Sequence, residues 1–117
     1  MGKLTTHVLD TANGRPGAGM EVDLLILEGD NWSTLKRVKT NADGRTDAPL
    51  ISGDNIQVGV YELTFRAGDY FKAVGVPLTT PPFLGDVVIR VGVADPHGDY
   101  HVPLLLSPFG YSTYRGS

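Results

Sequence analysis

An all-β fold, two sheets packed as a sandwich, is what the sequence predicts, and three observations carry the prediction. Apolar and polar residues alternate through about seven or eight short runs, the period of strands with one face on a core. Clusters of Gly, Pro, Asn and Asp separate these runs, and 15 glycines and 8 prolines in 117 residues are nearly double the usual share of turn formers. A single short stretch has helical spacing. Leu, Ile, Val and Phe together still number 33, enough apolar surface for one core, so one domain over residues 1–117 is expected.

Taken in order, the first run sets Leu4, Thr6 and Val8 on one face and Thr5, His7 and Leu9 on the other. A turn follows at Asn13-Gly14-Arg15-Pro16-Gly17, and Met20, Val22, Leu24 and Ile26 then share the inner face of a strand ending at Glu28. Asn41-Ala42-Asp43-Gly44 marks another turn, with Arg45 directly after it. Residues 52–59 read as a loop. Tyr61, Leu63 and Phe65 are the inner positions of a strand over 60–65, and Tyr70, Phe71 and Val74 are spaced for a short helix over 67–74. After a loop over 78–85, Val87, Ile89, Val91 and Val93 share the core side of a further strand. Asp95-Pro96-His97-Gly98 turns the chain into a run where Tyr100, Val102, Leu104 and Leu106 alternate with His101, Pro103, Leu105 and Ser107. Ser107-Pro108-Phe109-Gly110 turns it again, and in the final strand Tyr111, Thr113 and Arg115 alternate with Ser112, Tyr114 and Gly116.

The first strand and the last two share an oddity. Their second faces mix histidine, tyrosine and arginine with leucine, too apolar for free solvent and too polar for a core. Such faces are expected to be covered by another copy of the chain, with the polar groups lining a groove between copies.

Composition removes several classes of function. Ten basic and thirteen acidic side chains give a net charge of −3, with no basic run to follow a phosphate backbone. No apolar stretch approaches the roughly 18 residues of a membrane helix, and no signal-peptide core follows the first residues, so a cytoplasmic protein is expected. The absence of cysteine excludes disulfides, thiolate metal sites and a thiol nucleophile. A nucleophile elbow, a phosphate loop and a His-Glu-x-x-His helix are also missing. His97 and His101 are four residues apart, roughly 13 Å on a strand and too far to share one ion, so His97 reads as turn decoration and no metal is expected.

Proton transfer near neutral pH needs a group of pKa near 6.5, which leaves His7, His97 and His101. Arg45 offers a planar fork for an anionic or carbonyl-rich ligand, although a charged residue after such a turn often only faces water. The carboxyl end stops within a residue or two of the final strand, either frayed or held at an interface.

The segments LTTHVLDTANGRPGAGM, TNADGRTDAPL, GVYELTF, DYF, PPFLGDVVIRVGVADP, HVPLLLSPFG and YSTYRGS closely resemble the 5-hydroxyisourate hydrolases of the transthyretin family, over nearly the whole chain. The YRGS ending is what distinguishes these hydrolases from the hormone carriers of the same fold. The resemblance implies a transthyretin-like sandwich of about eight strands with a helix after the fifth, and a homotetramer, a dimer of dimers, with sites at the ends of a channel between dimers. It implies catalytic roles for His7, Arg45, His101 and Ser117, substrate contacts from His7, Arg45, Tyr114, Arg115 and Gly116, and no cofactor. The implied reaction opens the six-membered ring of 5-hydroxyisourate with water to give 2-oxo-4-hydroxy-4-carboxy-5-ureidoimidazoline, with His101 preferred as base and His7 as its partner. A small-molecule carrier without turnover is the alternative that the fold alone would permit.

Overall fold

The computed structural model describes residues 2–116. In chain order its elements are β1 (Lys3–Asp10), β2 (Arg15–Pro16), β3 (Glu21–Glu28), β4 (Asn31–Lys39), β5 (Ile51–Ser52), a 3₁₀ turn (Gly53–Asn55), β6 (Gly59–Phe65), α1 (Ala67–Ala73), β7 (Val87–Val93), β8 (Asp99–Ser107) and β9 (Gly110–Thr113). One sheet runs β2-β1-β8-β9, with β5 also on β1, and the other runs β4-β3-β6-β7. The expected sandwich forms, with strands at the expected places. Neither β4 nor the two-residue strands β2 and β5 were placed by the sequence reading, and α1 follows β6 when all are counted.

The core lies between the sheets and is filled by the alternating positions read from sequence: Leu4 and Val8 from β1, Val22 and Leu24 from β3, Tyr61, Leu63 and Phe65 from β6, and Leu104 and Leu106 from β8, all almost fully buried. The short helix buries Tyr70 and Phe71, but Val74 is its C-cap and stays 36% exposed, because the helix ends before a third turn can carry it inward. β4 is an edge strand that exposes most of both faces, so alternation is a weak guide there.

One pairing departs from an all-antiparallel arrangement. β1 and β8 are parallel, in a register that sets Thr5 beside His101 and His7 beside Pro103. A parallel pair needs a long crossover, and here the entire second sheet with α1 supplies it. A second departure concerns the end of the chain. β9 pairs with β8 only as far as Thr113 opposite Leu104, where an unbroken strand to Gly116 was expected. Pro103 has no N–H to continue the ladder. Its carbonyl instead accepts from the Thr113 hydroxyl at 2.8 Å. Pairing resumes in the same register at Gly116, which bridges His101.

β1 is held to α1 by a buried carboxylate. Asp10, 1% exposed, accepts from the backbone N–H and the side-chain amide of Asn13 at 2.9 and 2.7 Å, and from the Tyr70 hydroxyl at 2.7 Å. Burial by itself raises the pKa of this carboxyl, but the hydrogen bonds from Asn13, Tyr70 and Ala12 outweigh it and hold Asp10 below the usual carboxylate range. A carboxyl lowered on folding stabilises the protein above its unfolded pKa, and that contribution fades as pH falls toward the folded value. Tyr70→Phe removes one of these donors and is expected to lower unfolding stability by about 1–3 kcal/mol, measured by denaturant titration at neutral pH. The deficit should shrink on acidification. An equal deficit at pH 7 and in strong acid would show that Asp10 is not its source.

Candidate active site

Because β1 and β8 are parallel, Thr5, His7 and His101 lie on one outward face, with the two histidines one pleat apart on adjacent strands. Arg45 reaches them from the turn after β4. The Asn41 side-chain oxygen accepts from the backbone N–H groups of Asp43 and Arg45 at 2.9 and 3.1 Å, and the Asn41 N–H donates to the Arg45 carbonyl at 2.7 Å. Gly44 has φ of 77°, and a Cβ there would lie 2.3 Å from the carbonyl oxygen of Val8. Only glycine lets the turn lie this close to β1. Val8 then donates to the Gly44 carbonyl at 2.8 Å, and Arg45 bridges His7. The Arg45 side chain is exposed, yet its backbone is anchored beside the histidines.

The two imidazoles are tied at different nitrogens. His7 Nε2 lies 2.9 Å from the Asp43 carbonyl oxygen, which can only accept, so Nε2 carries the proton and Nδ1 is left. In His101 it is Nδ1 that is engaged, 2.8 Å from Thr5 Oγ1, leaving Nε2. Gly116 closes the other side of His101. Its N–H donates to the His101 carbonyl at 2.8 Å, and a Cβ on it would stand 2.6 Å from the ring Cδ2. The small final glycine is therefore a steric requirement of the half-buried imidazole.

His101 is held below the ordinary histidine pKa of 6.5, first by burial, then by the positive charge of Arg45 and by coulombic repulsion from His7. All three penalise the imidazolium, so His101 is a neutral proton acceptor at pH 7.

Arg45 and His101 line an open hollow of about 460 Å³, together with Lys3, Thr5, Thr46, Asp99 and Tyr100. His7 lies beside it and is not part of its lining. Hollows of about 490 and 550 Å³ open elsewhere, one between Ile26, Leu35 and Ile51 and one beside α1. Neither holds a histidine or Arg45, so chemistry and not size singles out the site.

The carboxyl-terminal residues divide. Arg115 donates to the Asp99 carbonyl at 3.1 Å, and its guanidinium lies 4.2 Å from the centroid of the Tyr100 ring. It thereby braces two residues of the hollow's wall without lining the hollow. Tyr114 is 62% exposed and is not brought to the hollow within a single chain. Ser117 lies outside the described residues. His97 is exposed in its turn, where its backbone N–H donates to the Asp95 carboxylate at 2.9 Å. Sequence reasoning passed over Thr5 and the Asp43 carbonyl. The signal for Thr5 was its place on the outward side of the first strand beside His7, but nothing in the sequence pairs it with a residue 96 positions away.

A two-sheet sandwich with one short helix and two histidines beside an arginine on its outer face defines a class, the transthyretin-like proteins with a polar site. A model of the HIUase/transthyretin family matches residues 4–116. The chain is 59% identical over 116 residues to 5-hydroxyisourate hydrolase 2 of Rhizobium meliloti (strain 1021), covering 99% of this chain and 97% of that one. The solved structure of Klebsiella pneumoniae 5-hydroxyisourate hydrolase superposes with a TM-score of 0.82 at 35% identity, over the full length of both chains. That of an (S)-allantoin synthase superposes at 0.93 with 43% identity, covering 99% of this chain and 44% of the longer one. The chain belongs to the HIUase/transthyretin family.

The site's electrostatics predict a titration. The His101 ring, followed by NMR, should titrate below 6.5. Replacing the positive Arg45 by glutamine should move the midpoint up while leaving it below 6.5, since burial remains. Because Arg45 is exposed, added salt should move the wild-type midpoint the same way. A wild-type midpoint above 6.5, or none of these shifts, contradicts the assignment of causes.

Proposed function

We propose that the protein hydrolyses 5-hydroxyisourate, acting as a cyclic amide hydrolase in purine breakdown. The observation that carries this reading is the convergence on one hollow of a neutral histidine with a free ring nitrogen and an anchored arginine, in a chain 59% identical to a protein named for that activity.

In the mechanism, a water held at His101 Nε2 attacks the carbonyl carbon of the six-membered ring and gives its proton to that nitrogen. The new carbon–oxygen bond turns the carbonyl into an oxyanion, which Arg45 stabilises with a fixed positive fork. Collapse breaks the ring carbon–nitrogen bond, and the His101 imidazolium returns its proton to the departing nitrogen. The product is 2-oxo-4-hydroxy-4-carboxy-5-ureidoimidazoline. His7, whose Nε2–H is spent on Asp43, holds the Arg45 turn against β1 and adds its Nδ1 to the site's edge. Neutral His101 is the reactive form, so activity falls as pH drops through its lowered pKa. No step calls on a cofactor.

The working unit in this reading is a homotetramer, a dimer of dimers. Leu9 and Leu105 are only half-buried on the outer face of β1 and β8, Tyr111 is 46% exposed, and the hollow is open. These features support a second copy as the missing wall of a site that one chain leaves shallow, with the exposed Tyr114 turned to that copy, while Arg115 and Gly116 already stand beside Asp99, Tyr100 and His101 of their own chain. The carrier alternative fits poorly with a hollow lined by Lys3, Arg45, Asp99 and His101, a polar setting for a hydrophobic ligand.

The test generates 5-hydroxyisourate from urate with urate oxidase and follows the intermediate's ultraviolet absorbance. The protein should accelerate its loss well beyond spontaneous decay, and His101→Asn or Arg45→Ala should each lower turnover on the order of 10²-fold without unfolding the protein. No acceleration by the folded wild type would overturn the reading, and near-normal turnover in either variant would reject that residue's role.

A further inference from the structure

We infer that Thr5 is a positioning residue that keeps the neutral His101 proton on Nδ1, so that the Nε2 lone pair is the one offered to the attacking water. This rests on the hydrolase reading above.

The contact is direct, with Thr5 Oγ1 2.8 Å from His101 Nδ1. It is also built into the sheet, because Thr5 is the register partner of His101 across the parallel pair, and side chains of paired residues stand together on one face. The neighbouring threonines use their hydroxyls differently. Thr6 donates to the Val102 carbonyl at 2.7 Å, and Thr11 to the Leu106 carbonyl at 3.0 Å. Thr5 alone of the three turns its hydroxyl to a ring nitrogen, and it lines the same hollow as His101 and Arg45.

A hydroxyl can meet that nitrogen in two ways. If Thr5 donates, Nδ1 is the acceptor, the proton sits on Nε2, and the nitrogen left for water is a donor that cannot accept a proton. If Nδ1–H donates to Thr5 Oγ1, Nε2 is a free acceptor. Only the second arrangement lets His101 act as a base from its one free nitrogen, since the partner of one ring nitrogen sets the protonation of the other. The same bond serves the whole cycle. When Nε2 takes the proton of water, the imidazolium keeps Nδ1–H on Thr5 Oγ1. When Nε2 passes that proton to the departing ring nitrogen, the starting tautomer is restored with no movement of the ring.

Histidine ¹⁵N chemical shifts of the full-length protein at a pH where His101 is neutral read the tautomer directly, without substrate. The wild type should show Nδ1–H, Thr5→Ser should keep it, and Thr5→Val, nearly the same shape without the hydroxyl, should transfer population to Nε2–H. In the 5-hydroxyisourate assay, Thr5→Val should lower kcat about tenfold with KM little changed, and Thr5→Ser should recover most of the loss. An Nε2–H tautomer in the wild type overturns the inference, and that measurement needs no variant to fold. So does unchanged kcat in Thr5→Val, or an equal loss in both variants, which marks a packing role. If the wild type shows no hydrolysis the functional reading fails, while the tautomer still decides where the proton lies.

Discussion

The parallel pairing of β1 with β8 sets every relation in the site. Its register places Thr5 against His101 and keeps His7 on the same face, while the buried face of the same two strands carries Leu4, Val8, Leu104 and Leu106 into the core. A one-residue slip would exchange the faces, burying imidazoles and exposing leucines. The hydrophobic core therefore fixes the geometry of the candidate site as firmly as any contact within it. Both flanking pieces depend on this pair too. The turn carrying Arg45 lies on β1 because Gly44 permits it, and Gly116 returns to β8 after Pro103 interrupts the ladder.

Electrostatically the site is arranged to keep one imidazole uncharged. Half-burial already disfavours the His101 cation, and Arg45 and His7 add to the penalty. The arginine that in the proposed mechanism would hold a developing oxyanion is thus one of the groups that disfavour the His101 cation. An imidazole with one nitrogen spent on Thr5 and its ring face closed by Gly116 has little freedom left to choose how it meets a ligand.

Much of this could be read from residue order, and the exceptions have physical causes. Alternation located β1, β3, β6, β7 and β8 because each has one face in the core. It said little of β4, whose faces are both largely exposed, and nothing of β2 and β5, each two residues long. The mixed outer faces of the first and last strands pointed to the site-bearing sheet. Arg45 could be read as a solvated residue, and its side chain is indeed exposed, but the close approach of Gly44 to β1, which fixes its backbone beside His7, was not legible in residue order. The sequence put Thr5 on the outward side of the first strand beside His7, but its contact with His101 depends on a pairing between positions 96 apart that residue order does not reveal. Tyr114, expected in the site, stands exposed in the single chain, as it would if its partners lie on another copy.

In the proposed reading, a small sandwich with a polar hollow on an outer face would gain an enclosed site by assembly, which would join the fold's size to its chemistry. The most direct measurement is a crystal structure of the protein with a non-hydrolysable, urate-like cyclic amide. The account predicts the ligand between Arg45 and His101, a ring carbonyl oxygen on the guanidinium, His101 Nε2 facing the carbonyl carbon, and a second copy closing the hollow. A ligand bound away from His101, or in a hollow that remains open to solvent, would contradict it.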